Sequence, residues 1–105
     1  MPTFEREVDA DEKTIRRALD RYAKSSPGAK VTLMRYGKLL VRARIIDPAF
    51  RGLSTGSRQA KVWKYLEPLS EDTINCLSQL LLLTPQEAKD SFANREFDDP
   101  IPAVM

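Results

Sequence analysis

The 105 residues suffice for one domain, and 42% hydrophobic with 30% charged residues is an ordinary composition for a folded globular protein. There is no histidine and only one cysteine, which excludes histidine-assisted nucleophiles, an internal disulfide and a zinc site built from histidine and cysteine. The net charge of +2 conceals a basic centre, because residues 13–64 hold fourteen lysines and arginines against two acids and both flanking segments are acidic.

The two ends of the chain predict little regular structure. Residues 1–10 lack hydrophobic periodicity and begin without the apolar core of a signal peptide, so they are interpreted as a flexible arm. Residues 97–105 contain two prolines and are interpreted as a disordered tail. We therefore expect one domain over residues 11–96. The longest apolar run is too short to cross a membrane, and a solitary thiol fits the reducing cytoplasm.

The first predicted element is an amphipathic helix that begins near Asp11. Its apolar residues recur at intervals of three and four, which places them on one stripe: Ile15, Ala18, Leu19 and Tyr22. Pro27 and Gly28 end the helix, because proline cannot continue the hydrogen-bond ladder and glycine permits the exit turn.

A β-hairpin follows. We expect a three-residue loop, Arg35–Gly37, with Gly37 in the left-handed conformation. The resulting cross-strand pairs are all apolar: Leu33 with Leu39, Val31 with Val41, and Ala29 with Ala43. The opposite face of the second strand then carries Arg42 and Arg44, so the sequence predicts a basic outer surface.

Three further elements are expected after the hairpin. Asp47-Pro48 starts a short helical turn, and a longer helix follows from about Ser54. On that helix the predicted inward residues are Ala60, Val62, Trp63 and Leu66, and the predicted outward residues are Arg58, Lys61, Lys64 and Tyr65. Residues 73–83 suit a helix or a buried strand equally well. Thr84–Glu87 is a capping box with proline, which opens a last helix to about Arg95.

The order of several short sequence words resembles the BolA family. The words are Val41–Phe50, Phe50–Ser54, Ile74–Ser78 and Thr84–Glu87, and the similarity covers roughly residues 11–95. The resemblance implies an α+β fold related to the type II KH domain, in the order α-β-β-α-α-β-α, with a three-stranded sheet and helices packed on one face. It also implies that residues 73–83 form a strand.

The resemblance further implies a non-catalytic binding or regulatory role with a protein partner. Family members share an iron–sulfur cluster with monothiol glutaredoxins through a histidine, whose position falls here on Asn75 or Cys76, depending on the word used for alignment. We therefore expect a protein partner, with a monothiol glutaredoxin as one candidate, and neither a bound cluster nor another cofactor. The expected contact residues are Phe50, Gly52, Ser54, Asn75 and Cys76.

Two alternatives remain open for the surface of the domain. The glycines at 52 and 56 resemble the phosphate-contacting turn of KH domains, with one residue more between them, which indicates nucleic-acid binding. The residues expected to contact nucleic acid are Arg42, Arg44, Arg51, Gly52, Gly56, Arg58, Lys61 and Lys64. The apolar run Leu80–Leu83 could instead lie at a sheet edge that forms a homodimer.

Overall fold

A computed structural model describes residues 8–37, 39–91, 94, 95 and 97. The helices are α1 (Val8–Ser25), α2 (Thr55–Leu66), α3 (Glu71–Asn75) and α4 (Pro85–Asp90), and a 3-10 turn spans Pro48–Phe50. The strands are β1 (Lys30–Tyr36), β2 (Leu40–Ile46) and β3 (Leu77–Leu83). None of the helices among these residues is both long and apolar enough to cross a membrane.

The three strands form one mixed sheet in the order β1-β2-β3. β1 and β2 are antiparallel, and β3 runs parallel to β2 after the crossover through α2 and α3. The α+β class and the order α-β-β-α-α-β-α are thus confirmed, and the residues left open between helix and strand divide between α3 and β3. β3 consequently lies at one edge of the sheet.

The hairpin has the predicted faces but a different register. Gly37 has the expected positive φ, 73°, but the three residues between the strands are 37–39 rather than 35–37. Leu33 therefore pairs with Ala43, and Val31 pairs with Ile45. Each β1 residue pairs with a β2 residue four positions further along the chain than predicted, and an even shift keeps every side chain on its own face.

The core lies between the sheet and the helices α1 and α2. The predicted stripe of α1 is buried as expected, and it packs on Val41, Ala43 and Ile45 of the central strand. On α2 the prediction is partly wrong, because Val62 and Leu66 are buried whereas Ala60 and Trp63 are exposed. The buried stripe of α2 is therefore rotated about the helix axis relative to the predicted stripe.

Only parts of the predicted flexible arm and disordered tail lie among the described residues, and those parts differ from the prediction. Helix α1 begins at Val8, within the stretch that was expected to be a flexible arm. Phe97, the first residue of the predicted tail, is fully buried. The remainder of both predictions, residues 1–7 and 98–105, lies outside the described residues.

A buried carboxylate joins α1 to the end of β2. Asp47 is 1% exposed, and its Oδ2 accepts hydrogen bonds from the Tyr22 hydroxyl at 2.5 Å and the Ser26 hydroxyl at 2.7 Å. Its Oδ1 accepts from the backbone N–H of Ala49 at 2.9 Å and so caps the 3-10 turn. Burial by itself would raise the pKa of Asp47, but these hydrogen bonds outweigh it and lower the pKa.

The same cluster raises the pKa of Tyr22, first because the phenol is buried and second because it donates to Asp47. The phenol therefore stays protonated and remains a donor, while the carboxyl stays ionised and remains an acceptor. The cluster is a fully paired buried network rather than a titrating site.

Replacing Tyr22 with phenylalanine should lower the free energy of unfolding by about 1.5–3 kcal/mol, because one donor to a buried carboxylate is lost without a change in packing. Urea unfolding at pH 7 measures the difference. Since the pKa of Asp47 is lowered by folding, its contribution is present above the ordinary pKa near 4 and declines as the pH falls below it.

Tyr65→Phe is the matched control, because the Tyr65 hydroxyl makes only an exposed bond to Ser25 at 3.2 Å. It should cost less than about 1 kcal/mol. Equal losses in the two variants would contradict the role assigned to Asp47.

Candidate functional site

β3 is one of the two edge strands of the sheet, so its outer side has no neighbouring strand among the described residues. The N–H of Asp47 bonds to the carbonyl of Leu83, which shows that Leu83 turns its backbone groups toward β2. Because these directions alternate along a strand, the backbone groups of Leu80 and Leu82 point away from β2. The carbonyl of Leu82 accepts from Arg58 Nη1 at 3.1 Å, and the described residues offer no comparable partner to Leu80.

Two clefts follow this edge. One, of about 610 Å³, lies between α2 and α4 and is floored by Leu80–Leu83. The second, of about 480 Å³, continues along α2 to Gly56, Ala60 and Trp63. Both clefts are lined by Gln59 and Leu80, so they lie side by side, and we call the two together the edge groove.

The edge groove has an apolar wall on its α2 side. Trp63 is 40% exposed, which makes it one of the two large hydrophobic side chains that the described residues leave exposed. It faces the half-buried Leu80 across the second cleft. Exposed aromatic surface beside unpaired strand edges is typical of surfaces that bind other polypeptides.

A bidentate ion pair crosses one end of the groove. Arg58 Nη1 and Nη2 donate to the two carboxylate oxygens of Glu87 at 2.6 and 2.9 Å, and Arg58 Nε donates to the carbonyl of Leu53 at 3.0 Å. The Arg58 guanidinium lowers the pKa of Glu87 to about 2, and the same bonds raise the pKa of Arg58. The prediction that Arg58 points outward is therefore wrong, because it is only 9% exposed.

Beyond this ion pair lies a third cleft, of about 580 Å³, beside the turn that connects the 3-10 helix to α2. It is lined by Pro48, Arg51, Gly52, Thr84 and Pro85, together with residues shared with the first cleft. Gly52 has a positive φ of 80°, and Ser54 caps α2 by accepting from the N–H of Ser57 at 3.1 Å. The turn is thus held by backbone conformation and capping.

The residues expected to contact a protein partner do not form one surface. Phe50 is fully buried, whereas Gly52 and Ser54 are exposed beside the C-terminal end of β2. Asn75 and Cys76 lie at the other end, where the Cys76 carbonyl accepts from the N–H of Val41. The length of β2 separates the two groups by about 20 Å.

Cys76 lies in a polar pocket beneath the start of α1. It is 4% exposed, and its thiol contacts Asp11 Oδ2 at 3.3 Å, while Thr73 donates to Asp11 Oδ1 at 2.9 Å. These contacts tie α3 to α1 and give the residue a structural role. Across the described part of the chain, three or more His, Cys, Asp or Glu residues nowhere group in a way that could hold a metal.

The residues expected to contact nucleic acid are also divided. Arg51, Gly52 and Gly56 lie along the clefts, while Lys61 and Lys64 come from another side of α2. Arg42 and Arg44 lie on the outer face of the sheet. The groove and the third cleft together are lined by two arginines and two carboxylates, which leaves them without net charge.

Sequence reasoning missed the residues that build the edge groove on the helix side. Gln59, Trp63 and Asp90 were either assigned to the core or given no role, because the position of a helix against an edge strand depends on strand order. The one usable signal was the apolar run Leu80–Leu83, which indicated a sheet edge able to pair.

No family model, curated protein or solved structure matches this chain. The resemblance to the BolA family stays a prediction that rests on short sequence words.

Gly52, in the turn before α2, and Gly56, at the start of α2, should respond in opposite ways to replacement by alanine. Gly52→Ala should lower the free energy of unfolding by about 1 kcal/mol, because φ is positive at this residue. Gly56→Ala should raise it by about 0.4–1 kcal/mol, because Gly56 lies in α2 and an added methyl meets nothing within 4 Å. Chemical denaturation of both variants checks this, and a loss of stability in both would contradict it.

The Arg58–Glu87 ion pair should also make the free energy of unfolding depend on pH in acid. Glu87→Gln should cost about 1 kcal/mol or less at pH 7, because the carboxylate is 44% exposed and solvent screens it. Since the pKa of Glu87 is lowered to about 2, the wild-type contribution is present above the ordinary pKa and disappears as the pH falls toward 2. The difference in the free energy of unfolding between wild type and Glu87→Gln should therefore disappear as the pH falls toward 2.

Asp90→Asn is the matched control for this experiment, because Asp90 is an exposed carboxylate on the same helix. Its stability should differ little from that of wild type across the same pH range. If Asp90→Asn lost as much stability as Glu87→Gln over this pH range, the loss in Glu87→Gln could not be attributed to its contact with Arg58.

Proposed function

We propose that this chain is a non-catalytic module that binds a protein partner by adding an extended segment of that partner to the free edge of β3. The observation that carries the proposal is the edge groove, which runs beside backbone groups of Leu80 and Leu82 that point away from β2. This is the geometry in which an edge strand accepts another strand.

Strand addition would divide the partner's side chains between two walls. Alternate residues of an added strand point to opposite faces of the sheet. One set would meet Trp63, Ala60 and Leu80 on the α2 side, and the other set would meet α4 near Gln86 and Asp90. The first wall favours apolar side chains, while main-chain hydrogen bonds to Leu80 supply affinity that depends little on sequence.

The charge of the groove favours a polypeptide over a nucleic acid. Nucleic-acid binding needs positive groups that replace the counterions of the phosphates. Here Arg58 is already paired with Glu87, and Asp90 lines the same cleft. A partly apolar groove that has no excess of positive charge suits a peptide backbone better.

A binding role of this kind agrees with the regulatory module that the BolA resemblance implies. It requires neither a cluster nor a metal, and it replaces the divided surface of Asn75 and the Phe50–Ser54 turn with one site. A monothiol glutaredoxin remains a candidate partner by that resemblance, and a second copy of this chain could add its own β3 to the same edge.

A displayed library of random peptides tests the proposal. Peptides selected on the wild-type protein should share an alternation of apolar residues and should slow amide hydrogen exchange at Leu80. Gly56→Phe should reduce their binding at least about tenfold, because the ring would fill a cleft wall without disturbing the backbone.

Lys64→Phe is the control, since it adds the same ring to another side of α2. Undiminished binding to Gly56→Phe, or a library that yields no peptide, would contradict the proposal. A doubled native mass of the purified protein that Gly56→Phe returns to that of a monomer would identify a second copy as the partner.

A further inference from the structure

The outer face of the sheet, opposite the core, carries three basic side chains of the strands. The strand register places Lys30 on this face with Arg42 and Arg44 beside it. The three strands contribute no carboxylate to the face, whose other members are Thr32, Met34, Tyr36, Leu40, Ile46, Gln79, Leu81 and Leu83. The basic centre of the sequence is therefore partly gathered on a single flat surface.

Two residues from the C-terminal part of the chain cover the arginines of this face. Both guanidinium groups, of Arg42 and Arg44, lie 4.8 Å from the centroid of the Phe97 ring, and Phe97 is fully buried. Asn94 Oδ1 accepts from Arg44 Nη1 at 2.9 Å. We call Asn94 and Phe97 the C-terminal cover.

The contact between the cover and this face is one that a nucleic-acid base can also make. The Phe97 ring lies against the guanidinium groups of Arg42 and Arg44, and an arginine guanidinium likewise stacks on the plane of a base. In sequence the ring is flanked by acids, Glu96 on one side and Asp98 and Asp99 on the other. A planar ring attached to negative charges is also the chemistry of a nucleotide.

We propose that the outer face of the sheet is a binding site for single-stranded nucleic acid, which the C-terminal cover occupies in the free protein. A base would take the place of the Phe97 ring against Arg42 and Arg44, and the phosphates of the strand would meet the basic side chains of this face. Bases stack on arginine planes and on aromatic rings, and Tyr36 lies 5.3 Å from the Arg42 guanidinium on the same face.

This site is independent of the edge groove. Arg42 and Arg44 belong to the central strand and lie on the face opposite α1 and α2, whereas the groove lies at the edge of β3 beside α2. Their position on the outer face also separates Arg42 and Arg44 from Arg51 and Gly56, which were expected to bind nucleic acid together with them. Either proposal can therefore fail while the other holds.

The test measures binding of a fluorescein-labelled single-stranded oligouridylate by anisotropy, at low and moderate salt, with the full chain. Phe97→Ala should bind at least about tenfold more tightly than wild type, because base stacking no longer competes with the Phe97 ring. Adding Arg42→Gln and Arg44→Gln to that variant should abolish the gain. Raising the salt should weaken the binding, since phosphate contacts carry it.

Trp63→Ala is the matched control, because it removes an aromatic ring from the edge groove and leaves the outer face intact. Its oligonucleotide affinity should equal that of wild type. Folded Phe97→Ala that binds no more tightly than wild type overturns the proposal. Polyglutamate that competes as well as unlabelled oligouridylate does also overturns it, because the face would then recognise charge alone.

A second measurement covers the case in which Phe97→Ala does not fold. In a Trp63→Phe background, Phe97→Trp gives the protein a single indole, which takes the place of the Phe97 ring in the cover. Adding oligouridylate should shift the indole emission to the red as the ring leaves Arg42 and Arg44 for water. Emission that stays constant throughout the titration overturns the proposal.

Discussion

The hydrogen-bonded carboxylate of Asp47 is the interaction on which the arrangement of the other elements depends. It holds α1 through Tyr22 and Ser26, and its own backbone N–H pairs with Leu83 of β3. Its second oxygen starts the 3-10 turn, which fixes where the chain leaves the sheet. Helix α2 begins a few residues later, so the position of Arg58 over the edge of β3 follows from this one anchor.

Local signals in the sequence predicted most of the elements. The apolar stripe of α1, the cap at Asp47 and the capping box at Thr84 each depend on residues close in sequence, and each is present in the structure. The hairpin register was wrong for a physical reason. A change of four residues in the cross-strand pairing preserves both faces, so periodicity cannot distinguish the two registers, and only the loop residues can.

The errors on α2 have a different origin. Charge favoured an outward Arg58, but the guanidinium finds its carboxylate at Glu87, 29 residues away, and is buried with it. Trp63 was assigned to the core because it falls on the predicted apolar stripe of the helix, yet the core holds Val62 and Leu66 on the adjacent stripe. Both outcomes depend on tertiary neighbours that no local pattern contains.

The candidate site was less predictable than the fold, because it depends on which strand lies at the edge. The sequence words placed Asn75 and the Gly52 turn in one expected surface, but a parallel β3 puts them at opposite ends of the strand. The basic face of Arg42 and Arg44 was predicted correctly from alternation. Its cover by Phe97 was not, since the two prolines near the C-terminus suggested disorder.

The parallel pairing of β2 with β3 also has a consequence for the order of folding. Helix α1 and the hairpin contact each other within a short stretch of chain, whereas β3 must wait for α2 and α3 to span the crossover. Because contacts between distant residues close later, we expect β3 to dock last and to detach first in local opening. A segment bound along its outer edge would oppose that detachment, so its occupancy would add to the stability of the native state by mass action.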